Sequence, residues 1–121
     1  MIRGVRGAIT VQNNEELEIM NATERLVKEM ILLNDIQADD VASAFVSVTD
    51  DITAAFPAKV IRLQDGWTYV PVMCMKEMKV PFSLEKCIRI MFHVNTEVAQ
   101  KDIKHVYLEN AITLRPDLKE A

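Results

Sequence analysis

Apolar residues from Ile2 to Val11 alternate with Arg3, Arg6 and Thr10 closely enough to predict a first strand, interrupted by Gly4 and Gly7. Alternation places Arg6 on the face of Ile2, Gly4 and Ala8, where small neighbours leave room beside the guanidinium. A glycine inside a strand marks a bulge or the close approach of another element. The period then changes. Leu17, Met20, Leu26, Val27, Met30, Ile31 and Leu33 form the apolar side of a helix, with Glu18, Arg25, Lys28 and Glu29 turned to solvent. Asn13, three residues before Glu16, reads as its capping pair, and Asn34-Asp35 as its end.

Val41 to Thr49 predicts a second strand, whose small residues would let the first helix pack closely. Pro57 suits the start of a short helix that sets Lys59 and Arg62 on one side. Gly66 closes it, and Tyr69 to Met75 reads as a short strand or extended segment, with Pro71 favouring a sheet edge. A charged loop is expected from Lys76 to Lys86. Cys87 to Val94 is the clearest strand: Ile88, Ile90, Phe92 and Val94 form a wholly apolar face, opposite Cys87, Arg89, Met91 and His93. Asp102 opens a turn or short helix, and His105–Leu108 and Ala111–Arg115 are two further short apolar stretches. The order predicts an α/β (α+β) fold, a mixed β-sheet with helices on one face. A purely parallel, doubly wound sheet is not expected, because only the first helix is long enough for a crossover.

A length of 121 residues with 50% hydrophobic and 26% charged residues predicts a single domain over 1–121, with 116–121 a polar tail that frays or folds over a site. A net charge of −4 without a basic run argues against nucleic acid as a partner. Neither a signal peptide nor a membrane-spanning window is apparent, so a cytoplasmic protein without membrane association is expected. Cys74 and Cys87 should be free thiols; Cys74 reads as a buried packing residue and Glu77 as a solvated acid. No phosphate loop, zinc-protease motif or nucleophile elbow is present, and His93 and His105 have no companion ligands in the sequence, so no metal is expected.

Arginine is the more informative residue. Of six arginines, Arg6, Arg89 and Arg115 lie within or at the ends of strand-like runs. Guanidinium holds its charge when desolvated and binds carboxylates through two parallel hydrogen bonds. Two readings stay open: a shared site for a multiply anionic ligand, or separate edge residues that snorkel or pair with the surplus acids. Cys74, Glu77 and Tyr107 would add polar groups able to read a hydroxyl and carboxylates beside Arg89. The same groups could serve a non-catalytic binding module, or the arginines could make only intersubunit ion pairs.

Ordered segments across most of the chain resemble the small, monofunctional, Bacillus-like AroH-type class of chorismate mutase. They are Ile2–Ala8, Phe56–Lys59, Gly66–Val72, Cys74–Met78, Lys86–Arg89, His105–Glu109 and Leu114–Leu118. The resemblance implies a homotrimer forming a pseudo α/β barrel, with active sites between subunits and no cofactor. It implies rearrangement of the dianion chorismate to prephenate, in the shikimate pathway toward phenylalanine and tyrosine. By analogy Arg6 binds a carboxylate, and Arg89 reaches a carboxylate and the ether oxygen. Glu77 and the Cys74 segment hold the ring hydroxyl, and Tyr107 assists with the enolpyruvyl carboxylate. Phe56, Ala58, Lys59, Val72 and Leu114 line or flank the pocket, while Arg62 and Arg115 add positive charge. Met73 departs from the family pattern, which has a small hydroxyl residue there; a thioether cannot donate a hydrogen bond.

Overall fold

A computed structural model describes residues 1–114. Among these residues, five strands form one mixed sheet in the order β3-β2-β4-β1-β5, comprising β1 (Ile2–Thr10), β2 (Val41–Val48), β3 (Val72–Lys76), β4 (Cys87–Asn95) and β5 (Val106–Leu108). The central strand β4 is antiparallel to both β1 and β2, whereas the outer pairs β1/β5 and β2/β3 are parallel. Between β1 and β2 runs helix α1 (Glu16–Asn34), and between β2 and β3 the short helix α2 (Ala58–Arg62). The β1-α1-β2 unit is therefore split by insertion of β4.

Side-chain alternation divides the sheet into two unlike faces. Val5 and Ile9 of β1, Ala44 and Val46 of β2, and Ile88, Ile90, Phe92 and Val94 of β4 are buried in one cluster with Leu26, Val27 and Met30 of α1 and Ala58 and Ile61 of α2. Both helices thus cover one face. Burying a large aliphatic side chain contributes roughly 1.5–3 kcal/mol, so this layer carries much of the hydrophobic stabilisation. Trp67 closes it with its ring 4.9 Å from that of Phe92.

Gly7 shows why the first strand contains glycine. An added Cβ would overlap Met30 Sδ and lie 3.0 Å from Leu26 Cδ1. The close approach therefore belongs to α1 against β1, and not chiefly to α1 against the small residues of β2, as the sequence suggested. Leu17 and Leu33, expected on the apolar side of α1, are exposed. The cap also differs: Glu15 occupies the N-cap without a side-chain hydrogen bond, while Glu18 accepts from the backbone N–H of Gln12 at 2.6 Å and of Asn13 at 3.4 Å. Glu18 has the reach to satisfy donors in the approach to the helix; the shorter Asn13 donates its own amide back to Glu18. At the other end Asp35 adopts the left-handed conformation, and Ile36 N–H bonds Ile31 O at 3.0 Å.

The remaining differences are local. Strand β3 begins only at Val72, because the residues after Gly66 are spent on turns that bury Trp67 and Val70. Pro71 does lie at an edge, where its carbonyl accepts from Ala44 N–H at 2.9 Å. The stretch from Ala111 is a short 3-10 turn (Glu109–Thr113) and not a strand. Arg115 and the proposed tail 116–121 lie outside the described residues. Among the described residues no helix is long and apolar enough to cross a membrane.

Candidate functional site

The face without helices carries the candidate site. Ser47 of β2 and Ala8 of β1 both stand opposite Arg89 of β4, and Ala8 stands opposite Tyr107 of β5. Met75 of β3 pairs with Ser47. One transverse row therefore runs Met75, Ser47, Arg89, Ala8, Tyr107 across all five strands. Arg6 lies one pleat away, opposite Met91, and its guanidinium carbon is 5.8 Å from the centre of the Tyr107 ring. Small Ala8 separates Arg89 and Tyr107 and is wholly buried with Cys87 and Ala111, against which Leu84 and Leu114 pack.

Glu77 reaches this row from just beyond β3. Its backbone N–H bonds Val48 O at 2.7 Å, which fixes the end of the strand. Its Oε2 accepts from Ser47 Oγ at 3.1 Å and lies 3.4 Å from Arg89 Nε. Glu77 is thus half-buried and engaged, where the sequence favoured a solvated acid. Among the described residues, Arg89 Nε and Tyr107 Oη are buried polar atoms without a hydrogen-bond partner. Such atoms cost about 1–3 kcal/mol each when left unmatched, and native proteins concentrate them where a ligand will match them.

Beside Arg89, two residues back on the same face of β4, lies Cys87, wholly buried. Burial pushes its thiol pKa up, only partly offset by the charge of Arg89 and a hydrogen bond from it. A neutral thiol is a poor nucleophile, so Cys87 serves as packing with Ala8 and Ala111 beside Arg89. A further latch sets the start of β4: Asp51 accepts Lys86 N–H with both oxygens, at 3.1 and 3.0 Å, and Thr49 Oγ1 accepts Cys87 N–H at 2.9 Å. Lys86 is held there at φ 48°, a left-handed conformation costly for a side chain with a Cβ.

Other predicted residues divide away from this row. Cys74 pairs with Val46, a core-face position, so its side chain points to the side opposite Glu77; it is exposed and not buried as expected. Its backbone is better placed than its thiol. Pro71 and Glu77 direct main-chain groups to β2, so alternation turns those of Val72, Cys74 and Lys76 to the free edge of the sheet. Cys74, Phe56 and Lys59 share a cavity of about 800 Å³ with Met20, Thr53 and Lys76. Ala58 is buried in the core, Val72 packs against it, and Arg62 is exposed on α2. Met73 projects from the open face opposite Phe45, and Leu114 is half-buried beside Ala8 and Cys87. A groove of about 1230 Å³ between the start of α1 and Phe82 includes none of Arg6, Glu77, Arg89 and Tyr107. The cluster is a partly covered sheet face: Ala8 and Cys87 are wholly buried with Ala111, whereas Arg89 and Glu77 each keep about a quarter of their side-chain surface exposed.

Ser47 escaped the sequence reading, which placed Ala8 beside Arg6 but not between Arg89 and Tyr107. The parity of β4 put Cys87 and Arg89 together, but the register that brings Ser47 and Ala8 to either side of Arg89 depends on the strand order.

Residues 2–118 match the family chorismate mutase type I. The chain is 50% identical over 118 residues to chorismate mutase AroH of Bacillus subtilis (strain 168), covering 98% of this chain and 93% of that protein. It is 43% identical over 122 residues to chorismate mutase AroH of Thermus thermophilus, covering 100% and 99% respectively. A solved chorismate mutase from Clostridium thermocellum superposes with a TM-score of 0.86 at 51% identity, over 91% of this chain and 97% of that one.

Proposed function

Since the chain belongs to the type I chorismate mutase family and catalyses the rearrangement of chorismate to prephenate, we propose that the substrate binds on the open sheet face around Arg89. The convergence of Arg6, Glu77, Arg89 and Tyr107 on one face, with two buried polar atoms still unmatched among the described residues, carries this reading.

The reaction breaks one carbon–oxygen bond and forms one carbon–carbon bond within a single molecule. It requires the substrate in a folded, reactive conformer, and no protein atom has to bond to it. Arg6 holds one carboxylate against the Tyr107 ring, and Tyr107 Oη donates to the enolpyruvyl carboxylate. Glu77, already oriented by Ser47, accepts from the ring hydroxyl together with the edge backbone of Cys74. Arg89 spans a carboxylate and the ether oxygen. Negative charge grows on that oxygen as the bond lengthens, so a fixed guanidinium binds the transition state better than the ground state. Met73 and Leu114 flank the substrate on this face; Phe56, Ala58, Lys59, Arg62 and Val72 stand away from it in the same chain, so the lining role that the family resemblance implies for them falls to the neighbouring subunit's copies, and the same resemblance gives Arg115 a flanking role.

Arg89 and Glu77 keep about a quarter of their side-chain surface in water, which would leave that charge partly screened, so the site needs a fuller cover. A second copy of this chain is the proposed cover, in a homotrimeric pseudo-barrel with active sites between subunits. The apolar residues Met73, Met75, Met78, Val80 and Phe82, exposed on and after the edge strand, support it. The protein is proposed to act in the cytoplasm as one domain over 1–121. Two measurements test the reading. Loss of chorismate should be fast with purified protein and slower by on the order of 10²–10³ in Arg89→Ala; equal rates would remove Arg89 from the chemistry. Sedimentation should give a trimer at assay concentrations, and an active monomer would exclude a shared site.

A further inference from the structure

We infer that Ser47 is a positioning residue for the rearrangement, holding the Glu77 carboxylate beside Arg89 while preventing the two from closing into a short ion pair. The inference rests on the proposed role of Arg89.

The Glu77 carboxylate has one anchor on each oxygen, and neither is Arg89. Oε2 accepts from Ser47 Oγ at 3.1 Å, and Oε1 accepts from the Met78 backbone N–H at 3.1 Å. Arg89 Nε stands 3.4 Å from Oε2, within ion-pair range, yet makes no hydrogen bond to it or to any other described residue. Carboxylate and guanidinium left to themselves form shorter, often forked contacts near 2.7–2.9 Å. Both side chains are about a quarter exposed, 28% for Glu77 and 22% for Arg89, so water screens the attraction only in part. Something must hold the acid back, and the Ser47 hydroxyl is placed to do so. It stands directly opposite Arg89 in the β2/β4 register, on the same face.

Restraint of the acid matters for catalysis. A closed Glu77–Arg89 pair would occupy the guanidinium donors and cancel the field intended for the ether oxygen. It would also rotate the Glu77 lone pairs away from a ring hydroxyl. Substrate would then have to break an ion pair before each turnover. With Ser47 in place, the acid is already oriented and the cation is already available, which is the meaning of preorganisation here.

The test is a double-mutant cycle with rescue. Ser47→Ala should lower kcat about ten- to a hundredfold, the range for losing a hydrogen bond to a charged group, with a smaller change in KM and an unchanged thermal midpoint. Ser47→Thr keeps the hydroxyl on a β-branched residue suited to a strand and should restore most of the rate. In a Glu77→Gln background there is no charge to collapse onto Arg89, so adding Ser47→Ala should change kcat by less than about twofold. Equal losses in both backgrounds, or a loss that threonine does not rescue, would overturn the inference. So would full activity in Ser47→Ala while Arg89→Ala is impaired. Full activity in Arg89→Ala would instead show that the reading beneath it is wrong. Should Ser47→Ala fail to fold, Ser47→Cys supplies the same cycle with a weaker donor of similar size, and an intermediate rate is expected.

Discussion

Arg89 and Tyr107 face the same side of the sheet from the two strands that flank β1, each paired across Ala8. Two strand spacings separate them, roughly 9–10 Å between backbones, and the residue between them is a methyl group. Ala8 is itself wholly buried, packed with Cys87 and Ala111, so the row sets a cation and a phenol on either side of a small, close-packed spacer.

Tyr107→Phe separates function from stability at this rim. Tyr107 Oη has no partner among the described residues, so its removal breaks no recorded internal hydrogen bond. The thermal midpoint should hold or rise slightly. The value of kcat/KM should fall about tenfold or more, because a hydrogen bond to a carboxylate is worth about 1.5–3 kcal/mol. Steady-state kinetics beside calorimetry check the pair of outcomes, and a parallel fall in stability and rate would assign Tyr107 to packing.

Arg6 and Arg89 should fail differently. Arg6→Ala removes a contact made equally in ground and transition state, so KM should rise while kcat changes less. Arg89→Lys keeps the charge but loses the fork and Nε, so kcat should fall by roughly 2–3 kcal/mol of transition-state stabilisation with KM less affected. Measurement of both parameters for both variants distinguishes the roles. Reversed patterns would exchange them.

Which of these features the sequence discloses follows from how local each one is. The parity of Cys87–Val94 exposes a core face and a functional face, because period-two alternation is a property of the strand alone. Pro71 marks an edge for an equally local reason, its missing N–H. Ser47 was invisible. Its significance comes from standing opposite Arg89, and that required knowing that β4 inserts between β1 and β2. The Cys74 side chain was assigned beside Glu77 by proximity in sequence, whereas three residues along a strand place the two on opposite faces. Family resemblance supplied the substrate and the expectation of a trimer, which no periodicity could encode. The capping error at Asn13 arose because a flexible Glu18 can reach back five and six residues, a competition that spacing rules do not capture.

Gly7→Ala tests the close contact of β1 with α1. The added methyl would collide with Met30 Sδ and press on Leu26 Cδ1, and both residues are fully buried. Overpacking of this kind costs typically about 1–3 kcal/mol. Chemical denaturation should show that loss, and Gly7→Ala combined with Met30→Ala should be less destabilised than the sum of the two single variants. Strict additivity would mean that the helix shifts as a body and that Met30 does not set the spacing.

Glu18 makes stability depend on acidity at the entrance to α1. The Gln12 backbone N–H is the main cause holding its pKa below the ordinary 4.5; burial opposes this, and bonds from Asn13 add to the lowering. A carboxyl with a depressed folded-state pKa contributes stability that is fully present above its unfolded value. That contribution is lost as pH falls through the lowered folded-state value, because the unfolded chain then binds the proton more readily. Glu18→Gln should therefore lower the thermal midpoint at neutral pH. The gap to the parent should stay constant down to about pH 5 and shrink below it, where the parent carboxyl also becomes protonated. Melting curves of both proteins from pH 3 to pH 7 in about 0.1 M salt read the effect directly. A gap that persists unchanged at the acid end would show that the glutamine variant loses packing or geometry and not the charged acceptor.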